Sequence, residues 1–243
     1  MASPHEILTR KLKSHSILSA GDAAALRKLV CHFRELEPGE DFIRQGDRPD
    51  ASAIVISGMV ARYHTTASGG RQYLSFHIAG DWPDAQGLFI DRMDHAVCAM
   101  DRAQLCAIPH SSLISLFKER PGIGFAVWRE TLIDAAIFRD AITNNSSRTG
   151  TARLAHFFCQ LFVRAEHVGL TRNGACAVPL SQTQLGETLG MSIATVQRHL
   201  QSLRKSGAVE LREGMLVVKN LARLKAIGEF DEGFLHLTVQ KKT

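Results

Sequence analysis

The residues of this chain best equipped for chemistry lie in LSQTQLGETLGMSIATVQRHLQSLRKSG, residues 180–207. Gln197 and Arg198 adjoin there, and their chemistry is recognition rather than bond-making. A planar amide matches the donor and acceptor on the major-groove edge of adenine, and a guanidinium matches the two acceptors of guanine. Thr183, His199, Arg204 and Lys205 suit phosphate oxygens, which fix a protein's register on a duplex without reading its sequence. Bond-making has no comparable candidate. The chain lacks a phosphate-binding loop, a nucleophile elbow, a dinucleotide fingerprint and any metal-spaced set of His or Cys. Gly69-Gly70-Arg71 reads as a hairpin turn. Neither an enzyme nor a cofactor is expected.

These side chains need a scaffold. Ser181 can cap a helix, with Gln184 three residues on as its capping-box partner, so a helix is expected over 182–189 with Leu185 and Leu189 inward. Gly190 allows a tight reversal. Ser192 caps a second helix running to about Lys205, and Gly207 ends it. Ile193, Val196, Leu200 and Leu203 mark one face of that helix, with Ile193 at its edge; Ala194, Gln197, Arg198 and Gln201 lie largely off it. A short helix, a small turn residue and a second helix polar at its N-terminal end make a helix-turn-helix. An ordinary αα-hairpin with a solvated face shares the pattern, and AVELREGMLVVKN, residues 208–220, separates the two. Its strand-like runs flank Glu213-Gly214, a hairpin signal. A helix-turn-helix followed at once by a β-hairpin is a winged helix, with Arg212 and Lys219 available to phosphates.

Charge points the same way. Residues 148–243 carry 13 Lys and Arg against 7 Asp and Glu, a net of +6, while the first 147 carry 16 against 17, a net of −1. A polyanion would meet the C-terminal part alone. Five cysteines, Cys31, Cys98, Cys106, Cys159 and Cys176, are scattered and odd in number. That suits a reducing compartment and argues against a disulfide framework. No run of about eighteen apolar residues occurs, and MASPHEILTRKLKSHS has no signal-peptide core, so a cytoplasmic protein without a membrane partner is expected.

Upstream, residues 6–33 carry a helical pattern of Leu8, Leu12, Leu18, Leu26 and Val30, which Gly21-Asp22 should break. From Phe42 to about Ile108 short apolar runs (AIVIS, MVARY, YLSFHI, AVCAM, AQLCAIP) alternate with turn clusters such as QGDRPD and AGDWPD. This is the pattern of an antiparallel roll or barrel. After Pro121-Gly122 a long helix should reach about Asn145. Trp128, Leu132, Ala135, Arg139 and Ile142 follow at spacings of 4, 3, 4 and 3, a heptad-like seam suited to pairing two copies, with Ile133 and Ile137 widening it. TNNSSRTG, 143–150, reads as a hinge. Residues 149–167 read as an amphipathic helix with Leu154, Phe157, Phe158, Leu161 and Phe162 inward, and NGACAVPL gives a short strand.

In this order and spacing the chain resembles the CRP/FNR family of bacterial transcription regulators. LEPGEDFIRQGD (36–47), GMVARYH (58–64), GRQYLSFHIAGD (70–81) and TARLAHFF (151–158) match the family's β-roll and post-hinge pattern, and residues 180–218 match its DNA-binding domain. The resemblance covers nearly all of the chain and implies an α+β protein. Residues 1–120 would form an antiparallel, jelly-roll-like β-roll of the cyclic-nucleotide-binding type, serving as sensor. Residues 121–147 would form the dimerisation helix and hinge, and 148–243 the winged helix-turn-helix. It implies a homodimer on a palindromic promoter site in double-stranded DNA, with RNA polymerase as a partner. The family's base-contacting positions fall on Ile193, Ala194, Gln197 and Arg198, just after Ser192. Where some members carry Glu this chain has Ala194, whose methyl can meet that of thymine but cannot accept from cytosine. A shift in specificity of about 1–3 kcal/mol at that base pair is expected.

The family's nucleotide-binding members share Gly-Glu-x-x-Leu, a short helix and Arg-Ser/Thr-Ala, the Glu holding the ribose and the Arg the phosphate. The matching stretch here is GDWPDAQGLFIDRMDHAV, residues 80–97. Ala85 stands at the Glu, Asp84 at the Gly before it, and Asp94-His95 at the Arg-Ser pair. A carboxylate repels a phosphate, and burying a phosphodiester without a cation is very costly. The pocket is therefore expected to be degenerate for cyclic nucleotides. The alternative is a cyclic-nucleotide-responsive regulator of the same architecture, for which Arg92 could swing in. Trp82, Asp84, Ala85, Asp94 and His95 form either a remodelled pocket for an unknown effector or a loop kept for structure. An iron–sulfur cluster wants closely spaced cysteines, whereas the nearest pair, Cys98 and Cys106, is eight apart. A haem would need an axial His, for which His77 and His95 are the candidates.

Overall fold

The computed structural model describes residues 3–67 and 69–237, so the outermost ends of the expected sensor and DNA-binding domains, 1–2 and 238–243, lie outside the described residues. The chain divides into two compact units, one built chiefly from Met1–Thr65 and Leu74–Ala135, the other from Thr66–Tyr73 and Ala136–Leu235.

The first unit opens with α1 (Pro4–Lys13) and α2 (Ala20–Leu26). Each begins at a Ser whose hydroxyl accepts from the backbone three residues on while the acidic side chain there reaches back: Ser3 with Glu6, Ser19 with Asp22. Gly21-Asp22 therefore starts a helix instead of breaking one, because Asp22 completes the box. The helical pattern also stops early, since His32 already opens a strand. β1 (His32–Leu36), β2 (Asp41–Ile43), β3 (Ala51–Ser57), β4 (Val60–Thr65), β5 (Arg71–His77), β6 (Ala96–Ala99) and β7 (Ala103–Pro109) form two sheets, ordered β1-β7-β3 and β2-β6-β4-β5. β1 and β3 pair antiparallel with β7, and β2 and β4 with β6, as in the expected roll. One core gathers Leu36, Ile43, Val55, Val60, Val97 and Leu105 between strands; a second packs Leu8, Leu12, Leu26, Ile108, Leu113 and Ile123 between strands and helices.

α3 (His110–Glu119) follows β7 without a loop, and α4 (Pro121–Ser147) comes one residue later. α3 was not legible in the sequence, which offers no capping residue at Pro109. Ile123, Ala126, Val127, Ile133 and Ala136 of α4 are buried, while Phe125, Trp128, Leu132 and Ile142 are exposed, the last four at 65, 59, 52 and 69 %. Ile133 thus faces inward and does not widen the expected seam.

The cysteine expectation needs correction. His32 lies opposite Ala107 and Phe33 opposite Cys106 in the β1–β7 ladder. Cys31 is thereby brought diagonal to Cys106, with Cα atoms 5.6 Å apart, and the two form a disulfide. Spacing along the chain cannot reveal a pair made by strand register across 75 residues. Cys98, Cys159 and Cys176 are buried and take no part in a disulfide.

The second unit contains the end of α4, then α5 (Gly150–His167), β8 (Ala175–Ala177), α6 (Gln182–Leu189), α7 (Ile193–Lys205), β9 (Val209–Arg212), β10 (Met215–Val218) and α8 (Leu221–Gly228). The expected hinge shrinks to Arg148 and Thr149, because α4 continues to Ser147 and Thr149 caps α5. Leu154, Phe157, Phe158, Leu161 and Phe162 are all buried. His156 joins three helices, its Nε2 2.6 Å from Asp140 of α4 and its Nδ1 3.0 Å from the Gly228 carbonyl of α8. Among the described residues no helix is long and apolar enough to cross a membrane.

Candidate nucleic-acid interface

The helix pair forms from local signals. Gln184 N–H donates to Ser181 Oγ (3.1 Å) and Ser181 N–H to Gln184 Oε1 (2.8 Å), so the capping box fixes the start of α6. Gly190 ends α6 in the left-handed conformation, φ 65°, where a Cβ would be strained. Gly186 serves the same turn differently: a Cβ there would lie 2.5 Å from the Met191 carbonyl, so only glycine lets the chain fold back this closely. Ser192 caps α7 by accepting from Thr195 N–H at 3.2 Å. Val196 and Leu203 are buried, and Leu185 and Leu189 of α6 lie beneath them in the core.

This packing turns one side of α7 to solvent. Ser192, Ile193, Ala194, Gln197, Arg198, Gln201, Arg204 and Lys205 are exposed, as is Thr183 on α6. Gln197 and Arg198, the expected base readers, stand together on that surface, and among the described residues neither side chain makes a hydrogen bond. His199 differs from the other expected phosphate contacts. It is half-buried, and its Nδ1 lies 2.8 Å from Thr151 Oγ1 on the first turn of α5. Burial, then the charges of Arg198 and Arg153, hold its imidazole below the ordinary histidine range. Its visible task is to seat α7 on α5. Arg153, not singled out from the sequence, extends that seating, donating from Nη1 to the Leu189 carbonyl (2.8 Å) at the end of α6.

The wing follows directly. β9 and β10 pair through a two-residue turn with Glu213 and Gly214 at φ 48° and 75°, the left-handed pair that a tight hairpin of right-handed twist requires. β8 adds a third strand beside β10. Between α7 and the wing lies an open cleft of about 430 Å³, lined by Gln182, Gln197, Gln201, Arg204, Glu210 and Arg212 among others. Arg212 and Lys219 are exposed on the wing side, at 68 and 50 % of their side chains.

The second expected site lies in the first unit. Trp82, Asp84 and Ala85 are buried, Asp94 is exposed and His95 is buried. Asp84 is not turned to a ligand. Both carboxylate oxygens accept from Ala53 N–H, at 2.9 and 3.1 Å, and burial pushes its carboxyl up to about 7. His95 Nδ1 lies 2.6 Å from Asp94, and Gln86 bridges onward to His95 Nε2 at 3.2 Å. Burial, then the charge of Arg62, hold this imidazole low.

Arg62 is the residue that reasoning from the cassette missed. It comes from β4, is buried, and donates from Nε to the Pro83 carbonyl (2.7 Å) and from Nη2 to Gln86 (3.3 Å). Its Nη1 is paired with Asp134 of α4. A cation therefore does stand beside the cassette, but a carboxylate of the same chain neutralises it. His77, the other haem candidate, lies buried with its Nε2 2.9 Å from Ser75 Oγ. Among the described residues no three His, Cys, Asp or Glu come together as a set of metal ligands.

Two domain families match this architecture. A Crp-like helix-turn-helix domain matches residues 152–227, and a cyclic nucleotide-binding domain matches residues 33–120. The chain is 25 % identical over 193 residues to the transcriptional activator protein FnrA of Stutzerimonas stutzeri, covering 79 % of each chain. It is 23 % identical over 201 residues to electron transport regulator A of Shewanella oneidensis, covering 83 % of this chain and 80 % of that one. Two solved structures share the fold. FixK2 from Bradyrhizobium japonicum is 23 % identical with a TM-score of 0.72, covering 82 % of this chain and 98 % of that one. The c-di-GMP responsive global regulator CLP of Xanthomonas campestris is 20 % identical with a TM-score of 0.62, covering 82 and 99 %.

Proposed function

From the premise that this chain belongs to the CRP/FNR family of transcription regulators, we propose that it acts in the cytoplasm as a homodimer. Each copy would set α7 in the major groove of one half of a palindromic promoter site and present the bound DNA to RNA polymerase. The single observation that carries this reading is the exposed set Ile193, Ala194, Gln197 and Arg198, held outward by a fully packed helix-turn-helix. Gln197 and Arg198 would read base edges. Ser192, Thr183, Arg204, Lys205, Arg212 and Lys219 would position the backbone, with His199 supporting α7 from behind. In this proposal residues 1–120 are the sensor, 121–147 the pairing helix and 148–243 the DNA-binding domain. The solvent-facing Phe125, Trp128 and Leu132 of α4, with Arg139 and Ile142 beyond them and half-buried Ala135 between, support pairing of two copies along that helix.

The sensor is proposed to answer to something other than a cyclic nucleotide. Arg62, the cation beside the cassette, is already engaged by Asp134, and Asp84 by Ala53. The match to the cyclic nucleotide-binding domain favours the opposite reading, which calorimetry with cyclic AMP and cyclic GMP decides: micromolar binding would restore it.

The DNA reading is tested by fluorescence anisotropy with promoter fragments and the variant Arg198→Ala. Wild-type protein should bind, and binding should weaken steeply with salt as phosphate contacts release counterions. Arg198→Ala should lose sequence-selective binding and keep the weaker, salt-dependent mode. Unchanged selectivity in the variant would remove Arg198 from the interface.

A further inference from the structure

We propose that Glu210 of β9 occupies the place of a DNA phosphate within the wing, holding Arg204, Arg212 and Lys219 against non-specific duplex. This rests on the DNA-binding reading above and adds a residue that governs the balance between specific and non-specific sites.

The geometry is that of one carboxylate serving three cations from three elements. Lys219, just after β10, donates from Nζ to Glu210 Oε2 at 2.9 Å. Arg204 of α7 and Arg212 of β9 bring their Nε atoms to 3.3 and 3.1 Å from Oε1. Only the lysine is aligned as a hydrogen bond; the two guanidinium groups lie within ion-pair distance without that alignment, since Oε1 has no hydrogen-bonded partner. The carboxylate itself is inward, 11 % exposed, whereas the three cations are 65, 68 and 50 % exposed. It lies in the wall of the cleft between α7 and the wing, beside Gln197 and Gln201.

A group with this placement acts on DNA binding through charge. Each cation that neutralises a phosphate releases counterions and contributes about one unit to the slope of log K against log salt. Cations already facing a carboxylate contribute less, because part of their charge is compensated before DNA arrives. The loosely held guanidinium groups can turn outward when phosphates are offered at the register that α7 dictates. At a random site, where the fit is poorer, Glu210 competes with the backbone. A regulator must find few sites among very many, so lowering the non-specific mode raises discrimination.

The experiment uses the full chain and a random-sequence duplex, with anisotropy followed across salt. Glu210→Gln keeps shape and removes the charge. The slope should steepen by about one unit, which corresponds to about tenfold tighter non-specific binding near 0.1 M salt. Glu166→Gln, exposed at the end of α5 and outside the cluster, makes the same change in net charge and should move neither quantity comparably. Arg212→Gln should weaken binding more in the Glu210→Gln background than in the wild-type background, a readout that does not depend on how stable the single variant is. Unchanged or weaker binding by Glu210→Gln overturns the proposal. So does an equal effect of Glu166→Gln, or strict additivity with Arg212→Gln. If wild-type protein binds no duplex at any salt, the DNA-binding reading itself fails, and this proposal with it.

Discussion

Leu132→Asp should dissociate the pair of subunits. Leu132 is 52 % exposed on a face of α4 that also carries exposed Phe125 and Trp128, while the opposite face of the helix is buried in its own unit. Fully burying a leucine is worth about 1.5–3 kcal/mol, so covering the exposed half contributes roughly 1 kcal/mol. A two-fold seam uses each residue twice, so the apolar loss is about 2 kcal/mol. The introduced carboxylates add about 1 kcal/mol each, the lower end of the cost of leaving a polar group poorly solvated. Together these amount to about 4 kcal/mol, or a dissociation constant weakened about 1,000-fold. Leu132→Ala, which only removes the apolar part, should weaken it about 30-fold. Sedimentation velocity across a dilution series reads both, with circular dichroism to verify that the monomer remains helical. If Leu132→Asp sediments as wild type does at every concentration, α4 is not the seam.

Three further outcomes test the first unit. Asp84 holds its proton more tightly folded, at about 7, than at its ordinary value of 3.8. Its contribution to stability is therefore fully present below the ordinary value, falls as pH rises through that window, and is lost above about 7. Between pH 5 and pH 8 the wild type should lose on the order of 2–3 kcal/mol relative to Asp84→Asn in urea unfolding; parallel profiles would contradict the assignment. Asp134→Asn leaves Arg62 a buried cation without its carboxylate and should cost about 2–3 kcal/mol, less than a fully buried pair because Asp134 is 23 % exposed. Replacing both partners together, Arg62→Met with Asp134→Leu, should recover most of that loss in the same unfolding assay. Finally, peptide mapping under non-reducing conditions should recover Cys31 linked to Cys106, with Cys98, Cys159 and Cys176 as thiols.

What was legible in the sequence was what local chemistry determines. Ser181 with Gln184, Gly190, Ser192 and Gly207 bound α6 and α7 within a residue because caps and left-handed glycines act over a single turn. Glu213-Gly214 announced the wing for the same reason. The remainder depends on contacts between residues far apart in the chain. Arg62 reaches the cassette from another strand, and no reading of residues 80–97 alone could supply it. Cys31 meets Cys106 through strand register. Glu210 looked like an ordinary strand residue until the fold set Arg204 of α7 and Lys219, just after β10, beside it together with Arg212 of its own strand. His199 was grouped with the phosphate-contacting residues Thr183, Arg204 and Lys205, yet Thr151 and the close approach of Gly150 draw its ring inward. Ile133 read as part of the pairing seam because periodicity gives a face its composition but not its neighbour.

Selection of duplexes from a random pool by the purified full-length chain, followed by sequencing, tests DNA recognition by paired copies of α7 most directly. Two inverted half-sites should emerge with centres about one helical turn, roughly 34 Å, apart. In a parallel selection Arg198→Ala, left with only its non-specific mode, should enrich no such pair of half-sites. Enrichment of nothing by the wild-type chain, or of a single unrepeated half-site, would contradict the account.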